Sequence, residues 1–162
     1  MTDHYDPHDK VLRLSSGVYG SRSMAAVGIA AHEAGHALQH ARNYAPLVVR
    51  NLAVPAASFG SGISYTLLLL GFAFQLQPLI WVGILLFACV VFFQIVNLPV
   101  EFDASSRAKD ELMSLGIINA DGLVYVRRVL NAAAWTYVAA TLQTVLTLLY
   151  YIMRANRQES RY

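Results

Sequence analysis

Cysteine is nearly absent from this sequence of 162 residues. Cys89 stands alone, which excludes an internal disulfide, a thiolate zinc cage and a CxxC redox pair; among Phe87, Val90 and Phe92 it reads as a small apolar residue of a helix core. Charge is missing over two long stretches, from Asn51 to Val100 and from Val129 to Met153, which hold no Asp, Glu, Lys or Arg. With 56% apolar residues, those gaps exclude an ordinary soluble domain. A bilayer core about 30 Å thick needs roughly 20 apolar helical residues, so the first gap has room for two spans and the second for one. Neither gap holds an acidic or basic side chain or a histidine, which argues against an ion pathway. A large excess of positive charge is also lacking: the net charge is +2 and the basic residues are scattered, leaving no footprint for nucleic acid. No secretory signal is read in the polar opening Met1-Thr2-Asp3-His4-Tyr5-Asp6-Pro7, so the internal spans are expected to direct insertion.

What the sequence does contain is His32-Glu33-Ala34-Gly35-His36, inside an alanine-rich run from about Met24 to Arg42. Residues four apart lie one above the other on a helix, so His32 and His36 can offer two imidazoles to one metal ion. Glu33 then sits beside the ion, where a carboxylate can take a proton from a water and later hand it to a leaving amine. Two helix histidines on a solvated face are the blander reading of the same residues. Ser21 or Ser23 can cap this helix, and its small residues, Gly35 above all, let another backbone or a substrate come close. His40 continues the histidine face, but a straight helix carries it too far along the axis to share the ion.

Residues 3 to 10 favour turns, and Lys10 to Ser15 reads as a short edge strand. Tyr44, Ala45 and Pro46 are expected to end the metal helix, and Pro55 to kink the next one. Tyr65 to Leu76 completes the first span, Gln75-Leu76-Gln77-Pro78 makes a tight turn, and Leu79 to Leu98 forms the second. So short a loop requires an antiparallel hairpin, which returns the chain to the membrane face it left. Glu101 emerges just past the second span and is the expected third ligand, giving two imidazoles, a carboxylate and an open position for water. Asp103 is its rival and Glu111 a weaker one. Ser105, one turn after Glu101, can hydrogen-bond a ligand histidine, and Arg107 is expected to anchor at the lipid headgroups. Gly116 is a helix stop and Asn119 or Asp121 the next cap, followed by a long helix through Met153. An oxyanion donor could come from Asn131, Thr136, Tyr137, Tyr5 or His4, and none is singled out.

The expectation is therefore a mainly α, polytopic membrane protein with a zincin-like HExxH helix and a short edge strand or hairpin before it. Its single domain over 1–162 would comprise 1–46 (strand and metal helix, cytoplasmic), 52–98 (helical hairpin), 99–118 (third-ligand helix) and 121–153 (third membrane helix). Arg42, Arg50, Arg107 and Lys109 flank the hairpin while its turn has no basic residue, which puts the site on the cytoplasmic face. Arg127 and Arg128 agree; Arg154, Arg157 and Arg161 pull the other way.

The segments Thr2 to Pro7, Lys10 to Ser15, His32 to His40, Leu98 to Ser105 and Leu130-Asn131-Ala132-Ala133 together resemble the YugP-like neutral zinc membrane peptidases, over nearly the whole chain and in order. Glu101-Phe102-Asp103-Ala104-Ser105 is more distantly similar to the third-ligand segment of the HtpX and CAAX-prenyl endopeptidases, where the glutamate binds zinc and an aspartate stands in place of Ser105. Members of the YugP-like family usually carry a further membrane helix before the Asp-His-Tyr-Asp segment. The resemblance implies a hydrolase of the bacterial cell membrane, a gluzincin-like metalloprotease acting on protein or peptide substrates. One Zn2+ would be held by His32, His36 and Glu101, with Glu33 as general base. The alternative is a catalytically inactive zinc-binding membrane scaffold. The substrate and oligomeric state are not legible.

Overall fold

A computed structural model describes residues 3–160. Helix dominates. A two-stranded antiparallel hairpin, β1 (His4–Asp6) and β2 (Val11–Arg13), is followed by a one-turn helix α1 (Ser16–Tyr19) and by α2 (Met24–Ala41). Three long helices complete the chain: α3 (Ala45–Ala73), α4 (Gln77–Ser114) and α5 (Ala120–Glu159). All three are long and apolar enough to cross a membrane.

Residues 4–6 are a strand, where the sequence suggests turns alone. Asp6 explains the difference. Its carboxylate accepts from the backbone N–H of His8 at 2.9 Å and of Asp9 at 3.2 Å, closing a turn that folds β2 back on β1. Lys10 supplies the left-handed residue at φ 56°. Asp3 then clasps the open end of the hairpin by accepting from Ser15 N–H at 2.6 Å.

The helix ends follow local chemistry. Ser23 caps α2, its hydroxyl accepting from Ala26 N–H at 3.2 Å. Three helices stop on a left-handed residue, Asn43 after α2, Gln75 after α3 and Gly116 after α4. In each case the next N–H reaches back five residues to close the last turn: Tyr44 to Gln39, Leu76 to Gly71 and Ile117 to Leu112. Asn119 caps α5 by accepting from Gly122 N–H at 2.9 Å. Two expectations need correction. Tyr44, Ala45 and Pro46 do not end the metal helix; Pro46 lies in the first turn of α3, where its missing N–H has no partner to lose. Nor is there a break between the expected hairpin, 52–98, and the third-ligand helix, 99–118, because α4 runs from one into the other without interruption to Ser114.

The chain divides into two compact units. The first comprises the residues up to Val48 with Leu98–Thr136. Its core is Ala108, Leu112, Ile118, Val126 and Leu130, with Val27, Ala31 and Leu123 packed against them. Small residues on α2 set the packing distance: a Cβ on Gly28 would press on Val126, and one on Gly35 would overlap the Ala104 carbonyl of α4.

The second unit comprises Val49–Asn97 and the residues from Tyr137 onward. Here α3 and α4 form the antiparallel hairpin and the last part of α5 packs on it through Leu68, Ile80, Ile84 and Ala155. Gly60 and Gly71 let α3 lie against the backbone of Leu86 and Ile80 on α4. Large apolar side chains point outward; Leu52 is 76% exposed, Phe59 73% and Leu142 58%. In the most apolar stretch of α5 only 11% is buried inside the protein, so its solvent is lipid rather than a protein core. The hydroxyls of Thr66, Thr141, Thr144 and Thr147 bond carbonyls of their own helices, as hydrocarbon surroundings require.

Candidate metal centre

One turn of α2 brings the rings of His32 and His36 to a centroid distance of 4.8 Å, edge to face at 83°. From α4, Glu101 inserts its carboxylate between them. Oε2 lies 3.2 Å from His32 Nε2 and Oε1 3.8 Å from His36 Nε2. One ligand atom from each of the three residues falls within 4.8 Å of the others, and the three side chains are 15%, 11% and 7% exposed. Among the described residues this is the group of His, Cys, Asp or Glu side chains that could hold a metal ion. Gly35 makes the convergence possible, since its missing side chain admits the Ala104 backbone between the two histidine positions.

Residues 1–156 match the sequence model of a family described as "Putative neutral zinc metallopeptidase". The chain belongs to this family. It is also 48% identical over 153 residues, 94% of this chain and 68% of the relative, to the "Putative membrane protease YugP" of Bacillus subtilis (strain 168). No solved structure matches. Zinc is the metal of the family, and the donor chemistry fits it: two imidazoles and one carboxylate are a borderline-soft set that zinc accepts at tetrahedral sites.

The other sequence candidates fall around this group rather than in it. His40 turns away, its Nδ1 2.8 Å from the Tyr5 hydroxyl. Asp103 is held by Arg107, Nε to Oδ2 at 2.6 Å, and accepts from Gln39 Nε2 at 2.8 Å. Arg107 is therefore an ion-pair partner of Asp103, stacked over the Tyr44 ring at 5.5 Å. Ser105 lies 3.1 Å from His32 Nδ1, the contact its spacing suggests. Glu111 is outside the cluster.

Glu33 is buried beside the histidines, and one of its oxygens accepts from Tyr5 N–H at 2.9 Å. Burial pushes its pKa above the ordinary carboxylate value; His32 and the Tyr5 N–H oppose the rise, and Glu101 and Asp3 add to it. Tyr5 thus reaches the site from both ends, backbone to Glu33 and phenol to His40. The Asp-His-Tyr-Asp segment is a brace: Asp3 and Asp6 shape the hairpin and Tyr5 fixes it to α2.

Gln39 is the residue that sequence reasoning missed. It is fully buried and makes three hydrogen bonds. Its Nε2 donates to the Val100 carbonyl at 2.7 Å and to Asp103, which leaves Oε1 to face His36 Nδ1 at 2.9 Å. An amide held that way accepts the Nδ1 proton of a neutral imidazole, which leaves the Nε2 lone pair of His36 facing Glu101. The available signal was a glutamine three residues after the second histidine of the motif, on a face otherwise too apolar for it.

Proposed function

We propose that this chain is a zinc-dependent endopeptidase of the membrane in which His32, His36 and Glu101 hold the metal and Glu33 is the general base. One observation carries the reading: the Nε2 atoms of both histidines face the single Glu101 carboxylate beside a buried Glu33. When bound, zinc supplies Lewis acidity that makes water nucleophilic near neutral pH and polarises the scissile carbonyl. Glu33 takes a proton from the attacking water as the new C–O bond forms. It returns that proton to the amine as the C–N bond breaks. The Tyr5 N–H keeps one oxygen of Glu33 fixed while the other is left to meet the water. Gln39 and Ser105 orient the imidazoles from behind.

The substrates are peptide bonds of proteins at the surface of a bacterial cell membrane, a reading supported by the name of the Bacillus subtilis relative and by the apolar helices. The site faces the cytoplasm, as the arginines flanking the helical hairpin favour. Substituting Glu33→Gln preserves the amide-accepting oxygen and removes the base. The variant should keep stoichiometric zinc and lose cleavage of an unfolded protein substrate by at least about a hundredfold. Cleavage at the parent rate would overturn the assignment of Glu33.

A further inference from the structure

Beyond the peptidase site, the second unit carries a groove whose chemistry is that of a lipid. It has a volume of about 490 Å3 and is lined by Tyr65, Leu69, Phe72 and Ala73 of α3 and by Tyr151 and Arg154 of α5. That is within the range of about 300–1,000 Å3 that small ligands occupy. We propose that this groove holds one anionic phospholipid, an acyl chain along the aromatic wall and the phosphate on Arg154.

The wall is built rather than incidental. Phe72 stacks on Tyr151 with centroids 6.2 Å apart, Tyr151 meets Phe87 at 5.9 Å, and Phe87 meets Tyr65 at 5.4 Å. Such a ladder of rings gives a stiff apolar surface that an acyl chain can cover without reordering it. Arg154 closes one end. Its guanidinium lies 4.4 Å over the Phe72 ring and Nη1 donates to the Tyr150 hydroxyl at 3.2 Å, so the side chain is drawn in over the groove instead of extended into water. No carboxylate pairs with it among the described residues. A planar fork with donors to spare suits a phosphate.

The location matches a headgroup. Gln77, the first residue of α4, donates to the carbonyl of Ala155 at 3.2 Å, so Arg154 stands level with the turn between α3 and α4, where the hairpin leaves the apolar layer. Charge selects the lipid. From Tyr137 to Ser160 the charged residues are Arg154, Arg157 and Glu159, and the turn of the hairpin has none. A second basic residue one turn beyond Arg154 favours a headgroup that is negative overall over a zwitterionic one. The binding site also gives a role to the basic residues that the positive-inside rule leaves unexplained.

The test uses the full chain purified in detergent and mixed with equal amounts of phosphatidylglycerol and phosphatidylcholine carrying the same oleoyl chains. Native mass spectrometry should find one phosphatidylglycerol retained per protein, preferred about fivefold or more. Arg154→Gln should abolish the preference, and Arg157→Gln should weaken it without abolishing it. Ala73→Trp fills the groove and should remove retention of either lipid, with circular dichroism and elution volume unchanged. Equal retention of the two lipids, an Arg154→Gln variant that still discriminates, or an Arg157→Gln variant that loses as much would overturn the proposal. Undiminished retention by Ala73→Trp would show that the chain is not seated in the groove.

Discussion

Gln39 shows how much of this site depends on a residue that bears no catalytic chemistry. Its amide is locked by two acceptors, and the remaining oxygen dictates which nitrogen of His36 carries the proton. Replacing it with leucine keeps the volume and removes that control, and it leaves the Val100 carbonyl and Asp103 without their partner. Gln39→Leu should weaken zinc binding about ten- to a hundredfold, measured by competition with a chelator, whereas Ser105→Ala should cost less because a hydroxyl serves either tautomer of His32. The residue scale is also where sequence is most uneven as a guide. His32, Glu33 and His36 were legible because helical spacing alone brings them together. Gln39, the Tyr5 bridge to Glu33 and the Asp103–Arg107 pair were not, because each depends on a partner remote in the chain and has no periodic signature.

At the scale of elements, the decisive contact is between α2 and α4. Gly35 and Ala104 bring the two helices so close that a methyl group at position 35 has nowhere to go but into the carbonyl of residue 104. A backbone atom cannot rotate aside as a side chain can. Gly35→Ala should therefore part the helices, cost about 1–3 kcal/mol in stability and reduce zinc content well below that of the parent, despite the better helix propensity of alanine. Parent-level zinc content in a folded Gly35→Ala protein would show that the close approach is not needed. The spans and their turn were readable from the charge gaps, and the caps at Ser23, Gly116 and Asn119 from residue type. The strand at residues 4–6 and the continuity of α4 past residue 98 were hidden for physical reasons. Three aspartates and a proline look like a loop until their carboxylates are seen closing the turn. A span that ends where charge resumes reads as two segments at residues 98 and 99, although α4 stays helical through both.

On the scale of the molecule, the apolar spans and the buried polar cluster are two answers to one constraint. Outward-facing leucines and phenylalanines suit lipid, and the buried polar residues of the first unit, Glu33, His36, Gln39, Glu101 and Ser105, lie together around the HExxH turn of α2. Chain topology links the two, since the hairpin must turn back before the carboxylate of Glu101 can reach a histidine 69 residues earlier. That return was legible from the brevity of the turn. Glu101 was the expected acid and Asp103 its rival, because both follow the span. The structure brings Glu101 to the imidazoles and gives Asp103 to Gln39 and Arg107. The most direct measurement is the zinc content of purified Glu101→Ala and Asp103→Ala proteins, dialysed together against the same buffered free zinc. Glu101→Ala should lose most of its metal and Asp103→Ala should retain the greater part; the reverse ranking would contradict the ligand set on which the whole account stands.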